Sequence, residues 1–230
     1  MYELFVANKN YSSWSLRPWI LMRTLGIPFE EHMAYFGPDG DSTHFRRFSP
    51  TGKVPCLKEG PLTVWDSLGM VMFLAERHAG VWPAAPDART WARCASAEMH
   101  AGFPHLRQVC SMNCGLRVQL FQKPPELMQE LQRLDMLWQE GLRNFGGPFL
   151  AGDTFSAVDA FFAPVVFRIQ TYHLPLSELS QAYARCMLSQ AEMQAWYTAA
   201  LQETQRIRPY EAHIEEVGQV LLDERARIDW

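Results

Sequence analysis

The sequence predicts a small α/β unit followed by a larger all-helical one. Three observations predict it. Strand-like and helix-like patterns alternate only within the first eighty residues. Pro83-Ala84-Ala85-Pro86-Asp87 then interrupts the chain with the strongest linker signal it contains. Beyond it the apolar residues follow helical stripes, and no segment reads as a convincing strand. The expected boundaries are an α/β domain at residues 1–80, a linker at 81–88 and an all-helical domain at 89–230 with a charged tail.

The first unit reads in order as β-α-β-(short helix)-β-β-α. Tyr2 to Ala7 alternates loosely and predicts a strand. Asn8 to Ser15 is polar and turn-like. Arg17 to Leu25 predicts a helix, with Pro18 read as an early helical residue and Gly26 as its stop. Phe29 to Ala34 alternates again. Gly37-Pro38-Asp39-Gly40 marks a loop. Val54 to Lys58 and Leu62 to Val64 flank Glu59-Gly60-Pro61 and predict a hairpin. Asp66 to His78 returns to helical spacing, with Leu68, Val71, Met72 and Ala75 on one face.

In the second unit Trp91, Ala95, Met99, Phe103, Leu106 and Cys110 form one stripe. Leu127, Leu131, Leu134, Trp138, Leu142 and Phe145 form another, stopped by Gly146-Gly147-Pro148. Ser156 to Tyr172 and Ala191 to Gln202 predict two more helices. Ser156-Ala157-Val158-Asp159 resembles a capping box with Asp in the usual Glu or Gln place. A last helix is expected around Ala212 to Leu222, with a mobile charged end at residues 223–227.

Composition narrows the function classes. The chain has 230 residues, 48% of them hydrophobic, and a net charge of −4. That balance suits a globular protein with a substantial core and gives nucleic acid no obvious attraction. No run of 18 apolar residues predicts a membrane span, and the start lacks a secretory pattern. The five cysteines are scattered, which suits a reducing, cytoplasmic setting. Cys110 and Cys114 are spaced to share a helical face, but His100 and His105 add no metal-ligand spacing, so no metal is expected.

Four segments, in order and spacing, resemble the cytosolic glutathione S-transferase family over nearly the whole chain. They are Asn10-Tyr11-Ser12-Ser13-Trp14-Ser15-Leu16-Arg17, Lys53-Val54-Pro55-Cys56-Leu57, Trp65-Asp66-Ser67, and Phe149 to Asp159. The first is closest to the zeta class, which includes maleylacetoacetate isomerases and carries Ser-Ser-Cys-x-x-Arg there. Met99 to Arg107, with Met112-Asn113 beyond, resembles a bacterial subgroup. The implied architecture is an α/β thioredoxin-like N-terminal domain plus an all-α C-terminal domain, assembled as a homodimer. The implied cosubstrate is glutathione, and the implied partner is a small electrophile.

The residues fit that chemistry. A thiolate is the nucleophile, and a free thiol ionises above neutral pH. A helix N-terminus stabilises the anion through unpaired N–H groups and its dipole. A hydroxyl there adds a hydrogen bond. By resemblance Ser12 takes the catalytic place, with Ser13 as the alternative. Simple helix capping by these serines is the competing reading.

The resemblance also implies a cis Val54–Pro55 bond, with Val54 offering its backbone to the cysteinyl part of glutathione. An ordinary edge-strand proline competes with that reading. Ser67 and the helix N–H groups would receive the γ-glutamyl carboxylate, and Asp66 the ammonium; a plain N-cap is the competing reading. Lys53 stands where zeta enzymes usually have Gln and reaches either a glutathione carboxylate or solvent.

The second-substrate pocket is expected around Trp14, Phe103 and Arg107, with His100 and Asn113 nearby. Phe103 also fits a core position, and Arg107 fits a pair with Glu98 or Glu130. Trp14 stands where zeta enzymes carry Cys. Thr171 stands where they carry a carboxylate-binding arginine; Arg168, one turn earlier on the same face, either substitutes for it or is a surface or interface residue. These departures weigh against maleylacetoacetate isomerisation. The leading expectation is a serine-type glutathione transferase, in detoxification or a dedicated catabolic step. Glutathione-dependent isomerase or peroxidase activity stays open, as does a non-catalytic regulatory or ligand-binding protein on the same fold.

Overall fold

The computed structural model describes residues 1–226. The N-terminal part is a four-stranded mixed sheet in the order β2-β1-β3-β4, built from β1 (Tyr2–Val6), β2 (Phe29–Met33), β3 (Cys56–Glu59) and β4 (Leu62–Val64). β1 runs parallel to β2 and antiparallel to β3. Two helices join it, α1 (Ser13–Thr24) and α2 (Ser67–Ala75), and a 3-10 turn spans Thr43–Arg47. The expected element order holds.

α1 begins one turn earlier than its pattern suggests. Pro18 therefore lies inside the helix, not at its first position. This shift puts Ser12 at the N-cap and Ser13, Trp14 and Ser15 in the first turn. Gly26 then takes a positive φ of 64° to end the helix, as a residue without Cβ does easily.

The C-terminal part contains α3 (Pro86–Ala101), α4 (Pro104–Val109), α5 (Pro125–Phe145), α6 (Ala157–Tyr172), α7 (Glu178–Leu188), α8 (Ala191–Gln202) and α9 (Arg208–Val217). α6 is the axis of this part. Its residues are buried on every side except at Gln170, as expected for a helix apolar all round. α1 packs directly on α6 and so couples the two parts of the chain.

Three expectations are corrected. The stripe from Trp91 to Cys110 is two helices, because the chain turns at Gly102-Phe103 before Pro104. Cys110 caps the end of α4 and Cys114 follows a loop, so they share no helical face. The C-terminal part also holds two strands. β5 (Leu116–Leu120) pairs antiparallel with β6 (Gly218–Asp223), where a helix had been expected to continue. β5 buries Leu116, Val118 and Leu120 and turns Arg117 and Gln119 outward, the period of two that a half-buried strand needs. At Gly218 a Cβ would come within 2.6 Å of the Gln119 carbonyl, so only glycine lets the two backbones close there.

The charged end is also anchored where it is described. Arg225 is nearly buried and pairs with Glu211 and Asp223, each at 2.8 Å. Residue 227 lies outside the described residues. Among them, no helix is long and apolar enough to cross a membrane.

Candidate active site

The β1–α1 connection is held rigidly from behind. Glu203, arriving after α8, accepts the Lys9 and Asn10 backbone N–H groups at 2.6 and 3.1 Å. Asn10 Oδ1 accepts the Gly115 N–H at 3.1 Å, and Asn8 Oδ1 accepts the Phe36 N–H at 2.9 Å. Burial raises the Glu203 carboxyl above its ordinary range, while the two N–H donors pull it back. The loop thus presents the start of α1 in one fixed orientation.

Ser12 occupies the N-cap position, yet its side chain makes no capping hydrogen bond. Its hydroxyl donates to Ser15 Oγ at 2.7 Å instead, and Ser15 Oγ accepts the Ala7 N–H at 3.1 Å. A pocket of about 140 Å³ opens in front, with Ser12, Ser13, Trp14, Lys53, Val54 and Tyr210 in its wall. The Val54–Pro55 bond is cis, and Pro55 is buried behind Val54. Lys53 is exposed at the rim. The structure therefore brings Ser12, Ser13, Trp14, Lys53 and Val54 to one pocket.

Asp66 and Ser67 lie outside that pocket wall, at the start of α2. Asp66 Oδ1 accepts the Leu68 and Gly69 N–H groups at 2.9 and 3.3 Å. Its Oδ2 lies 3.3 Å from His100 Nε2, a contact between α2 and α3. Ser67 is fully buried, and its hydroxyl has no hydrogen-bond partner among the described residues. Phe103 is buried in the core with a left-handed φ of 58°.

Arg107 donates to the Gly102 and Met99 carbonyls, not to Glu98 or Glu130. Its guanidinium lies 4.9 Å from the Trp14 ring centre. Burial, then the Arg168 charge, lowers its pKa to about 10, so it stays cationic at neutral pH. Arg168 is buried, donating to the Cys110 carbonyl at 2.7 Å; its reading as a surface residue is corrected. Thr171 donates to the Asn113 carbonyl at 2.6 Å and is equally enclosed.

Two participants escaped the sequence reading. Tyr210 reaches the pocket from α9, some two hundred residues from Ser12, and nothing local links them. Its neighbour Glu211 accepts the Tyr11 hydroxyl at 2.8 Å and so seats α9 against the serines. Arg17 is the other. It stacks 4.1 Å from the Trp14 ring and 4.9 Å from the Phe161 ring. Its place five residues into α1, beneath Trp14, was visible only once the helix start was fixed.

A helix N-terminus lined with serines, beside a cis-proline loop on a thioredoxin-like sheet and backed by a helical bundle, defines a two-part architecture. The profile described as "Glutathione S-transferase, N-terminal domain" matches residues 11–77, and "Glutathione S-transferase, C-terminal domain" matches residues 125–188. The chain belongs to the glutathione S-transferase family.

Its similarity to individual members is low. It is 18% identical to a glutathione transferase homolog from Burkholderia gl BGR1 with bound glutathione, covering 86% of this chain and 97% of that one at a TM-score of 0.65. The Tau class enzyme of mango, Mangifera indica, gives 16% identity, 93% and 98% coverage and a TM-score of 0.67. The theta class enzyme of Xanthomonas axonopodis pv. citri, with glutathione bound, gives 19%, 85% and 96%, and 0.61. The dichloromethane dehalogenase of Methylorubrum extorquens is 35% identical over 65 residues, which span 26% of this chain and only 23% of that protein.

Proposed function

We propose that this chain is a serine-type glutathione transferase. Glutathione occupies the pocket before α1, and the Ser12 hydroxyl donates to its sulfur. The observation that carries this reading is the Ser12 side chain: it sits at a helix N-cap without capping and lines the pocket. When a thiolate arrives, the Ser12 proton turns from Ser15 to the sulfur, and Ser15 donates in turn to Ser12 Oγ. Such a chain polarises each member in favour of the anion. The thiolate lone pair then forms a sulfur–carbon bond to the electrophile as the leaving group departs with its electron pair.

In this reading Val54 pairs with the cysteinyl backbone and Lys53 faces a carboxylate. Ser67 and the α2 N-terminus take the γ-glutamyl end, with Asp66 close by. Calorimetric titration with glutathione tests it. Binding at sub-millimolar concentration, with thiolate absorbance appearing near neutral pH, is the expected result. No binding at millimolar glutathione overturns the reading and favours a non-catalytic role on this fold.

The working unit in this proposal is a homodimer. Between α2 and α3 lies a groove of about 460 Å³ lined by Leu68, Met72, Ala75 and Trp82, with Glu76 and Arg93 at its sides. Met72 is 60% exposed. A two-fold axis over this groove buries it and offers each Glu76 an arginine partner. Sedimentation is expected to give a dimer for the wild type and a monomer for Met72→Glu. A monomeric wild type at micromolar concentration refutes the interface.

A further inference from the structure

α9 carries Tyr210 into the wall of the pocket before Ser12, yet little apolar surface holds the helix there. Of its ten residues Ile214 alone is buried, whereas α6 is buried almost throughout. Its fastenings are polar. Arg208 pairs with Asp39 at 2.6 Å, but both side chains are largely exposed, and an ion pair in water contributes little. The Arg208 N–H donates to the Pro38 carbonyl at 2.8 Å, and His213 reaches the Val109 carbonyl only at 3.4 Å. Glu211 is the strong point. Its Oε1 accepts the Tyr11 hydroxyl at 2.8 Å, Arg225 Nη1 at 2.8 Å and Asn113 Nδ2 at 3.4 Å. One carboxylate oxygen thus fastens α9 to the residue that precedes Ser12. An element with so few buried apolar side chains opens more readily than the core of its domain.

Tyr210, next to Glu211, shows what such an opening does. It stands in the wall of two cavities. One is the pocket of about 140 Å³ before Ser12. The other, of about 440 Å³, lies between α4 and α9 and is lined by Gln108, Ser111, His213 and Val217. The Tyr210 ring packs on the Tyr11 ring at 5.2 Å and is the partition the two cavities share. A cavity that encloses a drug-sized organic ligand measures about 300–1,000 Å³, and a tripeptide belongs to that size class. With Tyr210 in place the pocket before Ser12 falls well short of that range. Joined to the second cavity, it falls within it.

We propose that α9 is a lid over the thiol pocket, with Tyr210 as its gate and the Glu211 contacts to Tyr11 and Arg225 as its latch, so that the latch breaks before glutathione enters. This rests on the glutathione-transfer reading above. The latch ties entry to the geometry of the site. The carboxylate that holds the lid shut also holds Tyr11, so reclosure returns the β1–α1 loop to its place around the bound thiol. A lid that recloses also keeps water from the reacting sulfur.

Stopped-flow tryptophan fluorescence tests it, with Trp14 in the pocket wall as the reporter of glutathione binding. In the wild type the observed rate is expected to rise with glutathione and reach a plateau, the rate of lid opening. Glu211→Gln should raise that plateau about ten-fold, the size of one charged hydrogen bond. Tyr210→Ala should remove the plateau and leave the rate linear in glutathione. If Glu211→Gln does not fold, Tyr11→Phe breaks one contact of the same latch and carries the test. A merely structural Glu211 would lower the urea midpoint and leave the plateau where it was, which overturns the proposal. A wild-type rate linear in glutathione overturns it too. So does a plateau lowered by Glu211→Gln, because the latch would then form only after binding.

Failure of glutathione to bind any of these proteins defeats the transfer reading, and amide hydrogen exchange without ligand then decides the lid. The α9 amides of residues 212–217 are expected to exchange about ten-fold faster than those of α6, or more. Glu211→Gln should speed α9 about ten-fold further and leave α6 unchanged. Exchange in α9 as slow as in α6, or unaltered by Glu211→Gln, removes the lid.

Discussion

Ser12→Ala is expected to lower turnover at neutral pH by about 100-fold, the usual consequence of removing one donor to a developing or resting anion in a preorganised site. Glutathione should still bind within a few-fold of wild type, because the remaining peptide contacts persist. The defect should appear in the ionisation of the bound thiol. In the proposed mechanism the wild-type hydroxyl and the α1 N-terminus hold the thiol pKa below its free value of about 8.5. Without the hydroxyl it returns toward that value, so the rate recovers as pH rises. The ultraviolet thiolate signal, titrated against pH, measures this directly.

Ser15→Ala should cost less, roughly ten-fold, since it removes only the second member of the chain. Ser13→Ala should cost least. Stability should fall by no more than about 1 kcal/mol in Ser12→Ala, because Ser12 makes no cap bond and loses only its hydrogen bond to Ser15. A Ser12→Ala enzyme with wild-type turnover, beside a dead Ser13→Ala enzyme, would move the catalytic role to Ser13.

The parts of this site that sequence made visible are the local ones. The strand before Asn8, the proline before β3 and the Asp-Ser before α2 each carry their own punctuation. The start of α1 was misplaced because Ser12, Ser13 and Ser15 look like turn residues and Pro18 looks like a helix opener. Packing of α1 on α6 outweighs both signals: Ser13, Ser15, Arg17 and Pro18 are all buried. That one-turn shift matters, because it decides which serine stands at the N-cap and which residue lies beneath Trp14.

What stayed hidden is non-local. β5 and β6 stabilise each other across about a hundred residues, and β6 alone is short and outwardly apolar. The charged end read as mobile because charge usually marks solvated chain. Here Arg225 finds Glu211, which also holds Tyr11, so the charges tie Arg225 to the β1–α1 loop. Tyr210 enters the pocket through the same anchor.

The largest effect on stability is expected at Asp159. This fully buried carboxylate fills the third helical position of the α6 capping box. Oδ1 accepts the Leu150 N–H at 3.0 Å and the Tyr183 hydroxyl at 3.1 Å, and Oδ2 accepts the Ser156 N–H at 3.0 Å. Asp159→Ala strands three buried donors, and each stranded donor costs about 1–3 kcal/mol. A loss of about 3–5 kcal/mol follows, in line with removing a partner from a buried charged network. That is a large share of the stability of an ordinary domain. Urea unfolding at fixed protein concentration measures it. A shift below about 1 kcal/mol would mean the donors find other partners.

Asp159 also has a pH signature of definite sign. Burial raises its pKa to about 6 against the opposing pull of its hydrogen bonds. In the unfolded chain a carboxyl titrates at about 3.9. Between those values the folded state holds the proton more tightly, so stability contributed by this group falls as pH rises and levels off above about 6. His100 slopes the other way, because burial lowers its pKa and the unfolded chain takes the proton first. The difference between wild type and Asp159→Asn cancels His100 and isolates the carboxyl. The Asn variant should lose the falling limb while keeping Oδ1 as an acceptor. Parallel stability curves for the two proteins from about pH 4 to about pH 6 would show that the raised pKa of Asp159 is wrong.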